Sequence, residues 1–223
     1  MTARYALYFA PPPDSALWKF ASRWLGRDAA TGETLDPPDG VHPDWTADPC
    51  RYGFHATLKP PMALAPGSSE SGLLSAVADF AASRRRFAIP PLKLAELGRF
   101  LALVPSASSG NLDAFAADCV RAFDPFRAPP PPSELEKRRA HGLTPRQDDY
   151  LRRWGYAYVF EEFRFHMTLT GSLDDDARAA ARTLLEPAVA PFTRDPLEID
   201  ALSVFKQDTR GALFRIIARF GLP

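Results

Sequence analysis

Residues 54–58 read Phe-His-Ala-Thr-Leu and residues 165–169 read Phe-His-Met-Thr-Leu, so one five-residue phrase stands once in each half of the chain. Only four histidines occur in 223 residues, and two of them hold the same place in these copies. Self-similarity of this kind signals a duplicated unit or a duplicated task. On a strand, successive side chains point to opposite faces. The first copy then places Phe54, Ala56 and Leu58 on one side and His55, Thr57 and Lys59 on the other. The second divides into Phe165, Met167 and Leu169 against His166, Thr168 and Thr170. A helix would separate histidine from threonine, because residues two apart on a helix do not share a face. Each apolar set is expected to face a core, and each strand to present an imidazole and a hydroxyl together on its other side.

Working outward from the phrase, Arg4 to Ala10 is rich in aromatic and aliphatic residues and stops at three prolines, which reads as a strand. Asp14 or Ser15 caps a helix with Leu17, Phe20, Trp24 and Leu25 at helical spacing, ended by Gly26. Residues 27–49 read as a polar loop holding His42 and Trp45, open to substrate contact. Helices are expected near 70–84 and 112–124, and short strands near 87–94 and 99–104. The run Arg84 to Arg86 reads as cations complementing a helix C-terminus.

Pro129 to Pro132 form a stiff connector. Ser133-x-x-Glu136 and Thr144-Pro145-Arg146-Gln147 each match a capping box, which predicts two short bridging helices. Residues 156–160 and 162–170 read as extended, Asp174 to Asp176 open a last helix, and strands near 197–205 and 212–220 close the chain. Strands do not alternate strictly with helices, so the expected class is α+β: one bilobal domain over residues 1–223, with two antiparallel sheets, flanking helices and a cleft between the lobes.

Composition narrows the function classes. Hydrophobic residues make up 46% and aromatics 12%, enough apolar material for a sizeable core. The 27 basic and 27 acidic residues balance, so no global positive field draws the chain to long nucleic acids or anionic membranes. Cys50 and Cys119 are too few for a disulfide framework, and with no secretory or membrane-spanning pattern the expected setting is the reducing cytoplasm. A cleft closed by one chain needs no partner subunit, and a monomer is expected.

If the two copies face one cleft, their chemistry is specific. Cleaving a phosphodiester takes a base for the proton of the attacking oxygen and an acid for the departing one. Histidine serves as either near neutral pH. Each threonine hydroxyl donates to a non-bridging phosphoryl oxygen, where charge must be stabilised. Stepping by two from the histidines along an ideal strand adds Arg51, Gly53 and Lys59 on one side and Arg164 and Glu162 on the other. The cations suit a phosphate, and Glu162 would orient a histidine or an arginine. Tyr8, Trp45, Tyr52 and Tyr158 are aromatic candidates for stacking a base.

The two motifs, His55-Ala56-Thr57-Leu58 and His166-Met167-Thr168-Leu169, resemble those of the 2H phosphoesterase superfamily. Over nearly its full length the chain is also similar to an uncharacterised bacterial subfamily associated with phosphonate utilisation. The stretches RYALYFAP, RYGFHATLKPP, LTPRQ and WGYAYVFEEFRFHMTLTG carry that likeness. The resemblance implies pseudo-twofold symmetry and metal-independent chemistry on a cyclic phosphodiester, with no cofactor. It implies His55 and His166 as the acid/base pair and Thr57 and Thr168 as phosphate-binding hydroxyls. A small nucleotide or sugar cyclic phosphate, such as a ribosyl 1,2-cyclic phosphate, is the implied substrate.

Three other readings compete. A lone histidine on a half-buried strand is ordinarily a packing residue, but its duplication with threonine argues for a task. A metal held by both histidines with an acidic residue lacks the local HxH or HExxH ligand pair. A non-catalytic nucleotide or RNA 3′-end binding module would use the same cleft without turnover.

Overall fold

The computed structural model describes residues 3–140 and 142–223; Met1 and Thr2, with which the expectation about targeting begins, lie outside them. Nine strands and seven α-helices are formed among the described residues, in the order β1 (Arg4–Phe9), α1 (Ala16–Leu25), α2 (Pro43–Cys50), β2 (Ala56–Met62), α3 (Glu70–Ala82), β3 (Phe87–Ile89), β4 (Leu92–Leu97), β5 (Phe100–Pro105), α4 (Gly110–Phe123), α5 (Pro132–Arg139), α6 (Pro145–Trp154), β6 (Met167–Thr168), α7 (Asp175–Val189), β7 (Leu197–Ile199), β8 (Ala201–Gln207) and β9 (Arg215–Gly221). Among the described residues, no helix is long and apolar enough to cross a membrane.

Seven strands form one antiparallel sheet in the order β4-β5-β6-β2-β1-β8-β9, and β3 pairs with β7 in a second. The α+β class is as expected. The strands of the two halves, expected in separate sheets, are joined edge to edge through β2 and β6. Pseudo-twofold symmetry is visible in the connectivity. Matching β1, β2, β3 and β4 to β5, β6, β7 and β8 turns the order β4-β5-β6-β2-β1-β8 into its own reverse, leaving β9 as an added edge. Helices follow suit, with α1 and α4 before the motif strands and α3 and α7 after them. The one residue pair joining β2 to β6 is Ala56 with Met167, the middle residues of the two phrases.

Local chemistry explains most elements. The Ser15 hydroxyl accepts from the Trp18 amide to start α1, and Gly26 ends it in the left-handed conformation, at φ 76°. Thr144 and Gln147 complete a reciprocal capping box at the start of α6. The box expected at Ser133 is absent. Proline at 132 opens α5 with its φ already set, which puts Ser133 inside the first turn, and no side chain caps that helix. Helix α2 falls within the expected loop. His42 caps it, accepting from the Asp44 amide at 3.4 Å, and Pro43 occupies its first turn.

The extended run expected before the second motif also shortens. Phe160–Glu162 form a 3₁₀ turn and only Met167–Thr168 pair as a strand. Proline divides the expected strand at 87–94 into β3 and β4 around Pro90 and Pro91.

Phe54, Ala56, Leu58, Phe165, Met167 and Leu169 are buried together with Phe9, Leu101 and Leu103. Burying a phenylalanine or leucine side chain contributes about 1.5–3 kcal/mol. A one-residue slip would turn these side chains to solvent, so their burial holds the histidines and threonines to the opposite face. That alternation ends soon after Thr57. Tyr8 pairs with Thr57 but Leu7 pairs with Lys59, so β2 carries one extra residue there. This β-bulge rotates the strand and sends Lys59 inward.

Lys59 is 1% exposed, and its Nζ donates to the Val120 carbonyl at 3.0 Å and to Asp124 Oδ1 at 3.1 Å. Burial lowers its pKa, opposed by the Asp124 charge. Replacing Lys59 with alanine leaves the Asp124–Arg127 pair partly buried without its second cation, and urea denaturation should show a loss on the order of 3 kcal/mol. A loss too small to measure would contradict the structural role.

Candidate active site

With Ala56 opposite Met167 in an antiparallel pair, His55 stands across from Thr168 and Thr57 across from His166. All four side chains line one cavity of about 480 Å³, also bordered by Arg4, Tyr8, Tyr52, Phe100, Arg138 and Tyr156. The two motifs thus meet side by side on one sheet.

Each imidazole is fixed by the carbonyl two residues before it. His55 Nδ1–H donates to Gly53 O at 2.8 Å, and His166 Nδ1–H donates to Arg164 O at 2.7 Å. A carbonyl only accepts, so in both rings Nδ1 carries a hydrogen and Nε2 is turned away from that backbone contact. The Thr57 hydroxyl lies 3.3 Å from His55 Nε2. Gly53 supplies its carbonyl from a left-handed backbone at φ +80°, and a Cβ there would come within 2.4 Å of the Ala29 Cβ. The close approach to Ala29 leaves no room for a side chain at this position.

The environments of the two rings differ. Tyr8 stacks on His55 with centroids 3.8 Å apart and planes at 19°, while Phe205 and Tyr52 lie 5.9 and 6.1 Å away. Tyr8, on β1, reaches this place because it pairs with Thr57 on β2; its counterpart on β5, opposite Thr168, is Ala102. Among the described aromatic rings, Phe100 alone lies near His166, at 5.9 Å. Burial lowers the His55 pKa to about 4, opposed by the Gly53 hydrogen bond and reinforced by the charge of His166. His55 is therefore neutral at neutral pH. Burial also holds the Tyr8 hydroxyl in its neutral form, well above the usual phenol range.

Other residues singled out in the sequence fall elsewhere. Lys59 lies under α4. Arg51 caps the C-terminus of α2 in helical conformation and is exposed, and neither its side chain nor that of Arg164 lines the cavity. What Arg164 contributes is its carbonyl. Glu162 accepts from Gln147 Nε2 at 2.9 Å and does not line the cavity. Thr170 borders the cavity, but its hydroxyl accepts from the Leu101 amide and donates to the Gly171 carbonyl. Trp45 and Tyr158 do not line it, whereas Tyr8 and Tyr52 do. No three His, Cys, Asp or Glu side chains gather as metal ligands would among the described residues.

Arg4, Arg138 and Tyr156 were missed as lining residues. Arg4 opens the first strand, where sequence shows only a flanking charge. Arg138 and Tyr156 lie in the segment between the halves, and nothing in their spacing points to the motifs.

The family model described as "Protein of unknown function (DUF1045)" matches residues 57–215, and the chain belongs to that family. Two curated relatives carry the name ribose 1,5-bisphosphate phosphokinase PhnN. One, from Janthinobacterium sp. (strain Marseille), is 41% identical over 95% of this chain and 49% of its own length. The other, from Laribacter hongkongensis (strain HLHK9), is 38% identical over 96% of this chain and 50% of its own length. The chain spans about half the length of these relatives. Crystal structures of E. coli LigT with 3′-AMP and with NADP+ align over the full chain and 99% of theirs, each at TM-score 0.44, with 13% and 12% identity.

The His55 ring should titrate near pH 4 by NMR, and Tyr8→Ala, which opens the ring to water, should move its midpoint upward. Folding linkage has a definite sign. Between about pH 6.5 and 4 the unfolded chain binds the proton that folded His55 refuses, so this residue's contribution is present above pH 6.5 and is lost as pH falls toward 4. Denaturation of His55→Phe across that window should show a shallower acid decline than wild type.

Proposed function

We propose that this member of the DUF1045 family is a cyclic phosphodiesterase that works with two histidines and without a metal. The observation that carries the reading is the quartet His55, Thr57, His166 and Thr168, on one face of one sheet and each histidine with Nε2 free of backbone partners. Arg4 and Arg138 on the same cavity supply positive charge for an anion although the chain as a whole is neutral.

Neutral His55 acts as the base. Its Nε2 takes a proton from water as the water oxygen attacks phosphorus. The bond from phosphorus to one ring oxygen breaks, and protonated His166 gives its Nε2 proton to that departing alkoxide. The product is a phosphate monoester with a free hydroxyl. Thr57 and Thr168 donate to the non-bridging oxygens, whose charge grows in the transition state. A backbone-fixed imidazole on either side of the phosphorus reduces the reorganisation the reaction needs.

The substrate class is a small sugar or nucleotide cyclic phosphate. A sugar fits the relatives' names: opening a 1,2-cyclic phosphate on ribose at O2 leaves a phosphate ester on C1, one of the two those names call for. The resemblance seen in the sequence, to a subfamily associated with phosphonate utilisation, supports the choice of such a compound.

Ribosyl 1,2-cyclic phosphates and nucleoside 2′,3′-cyclic phosphates, assayed with chelator present, test the proposal. His55→Ala and His166→Ala should each lower kcat by about 10² to 10⁴-fold. Wild-type turnover in both variants would refute the two-histidine scheme, and binding without turnover across the panel would favour the binding-module reading. The acid limb of kcat/KM should follow the depressed His55 proton and lie below the ordinary histidine range.

A further inference from the structure

The halves of the site are not equivalent in charge. Arg4 stands four residues before Tyr8 on β1, and the same step back from Ala102 reaches Gly98, before β5 begins. The second half answers with α5, inserted between α4 and β6, whose Arg138 borders the same cavity. Both arginines border the quartet's cavity and also a neighbouring hollow that none of the four motif side chains lines.

Arg4 has no carboxylate partner among the described residues, and Arg138 shares its one carboxylate, Glu134, with Arg210. Arg4 Nε donates to Gln207 Oε1 at 2.7 Å, a neutral partner, and its guanidinium carbon lies 5.5 Å from the centroid of the Phe214 ring. Arg138 lies 5.4 Å from the Tyr156 ring and donates through one terminal nitrogen to Glu134 Oε1 at 3.0 Å. Its buried Nε has no hydrogen-bond partner. Glu134 is itself shared, since Arg210 bridges to its other oxygen at 2.8 Å.

Arg4, Tyr52, Arg138 and Tyr156 also border an adjoining hollow of about 640 Å³, where Arg4, Lys137, Arg138 and Arg210 face the single carboxylate of Glu134. Four cations against one anion is an unbalanced surface beside a cavity that already holds its own phosphate-binding hydroxyls. A planar guanidinium matches the oxygens of a phosphate monoester in paired hydrogen bonds.

We propose that Arg4 and Arg138 form a second anion site, so that the substrate is a cyclic phosphodiester carrying a separate phosphate monoester on the same small molecule. This rests on the reading above for the cyclic ester. The monoester reaches past Tyr52 and Tyr156 to the two guanidinium groups, while the cyclic ester lies on the histidines. The sugar between them spans the cavity.

Two measurements test the proposal separately from the catalytic reading. The first compares ribose 1,2-cyclic phosphate with its 5-phosphate derivative. The wild-type protein should favour the doubly charged compound by about tenfold or more in kcat/KM, and Arg4→Gln or Arg138→Gln should bring that ratio toward one, mostly through KM. A ratio the substitutions leave unmoved overturns the proposal. The second follows binding of ribose 5-phosphate, which has no cyclic ester, by calorimetry. Affinity should fall about tenfold in each arginine variant and persist in His166→Ala. Equal affinity in wild type and both arginine variants would overturn the site. Arginine-dependent binding with no turnover of any cyclic phosphate would sink the catalytic reading and leave the anion site standing.

Discussion

The pairing of Ala56 with Met167 is the contact on which the site depends. Neither residue carries chemistry. Both are fully buried, and their pairing fixes at once the register of the two motif strands, the face on which histidine and threonine emerge, and the seam where the halves of the sheet join. The apolar side chains beside them make a slip costly, so geometry at the reacting face is held by packing on the other side. The backbone adds a second restraint that is the same in both halves, a carbonyl two residues upstream of each imidazole. Only one of these carbonyls needs a glycine, because only the first motif enters from a left-handed turn wedged against Ala29.

Within this frame the halves diverge. A tyrosine stacked on His55 and an alanine in the matching place beside His166 give two chemically identical groups unlike surroundings. Burial depresses the proton affinity of His55, and the neighbouring His166 charge adds to that. Helices α5 and α6 have only α2 as a counterpart in the first half; Arg138 of α5 and Tyr156, just after α6, border the cavity.

What the sequence made legible followed from periodicity. The α+β class, most helices, the caps at Ser15 and Thr144 and the common face of His55, Thr57, His166 and Thr168 were readable, because alternation over five residues is a local property. Extrapolating that alternation failed where the strands stop being ideal. Lys59 sits beyond a bulge, Arg51 at a helix end, and Glu162 in a 3₁₀ turn, so counting by two led to residues that the chain directs elsewhere. Arg4, Arg138 and Tyr156 stayed hidden for a different reason. They reach the cavity through long-range packing, which leaves no mark in local spacing.

The position occupied by Tyr8 has a consequence for how a duplicated site can specialise. The two phrases remain nearly identical, while the difference between their histidines is carried by neighbouring strands, through Tyr8 on β1 and Ala102 on β5. One aromatic side chain on the adjacent strand gives a symmetric pair of groups unlike surroundings. The motif then states which groups are present, and the strand beside it states how they differ. A search that reads only the motif would count two equal halves where the molecule has a head and a tail.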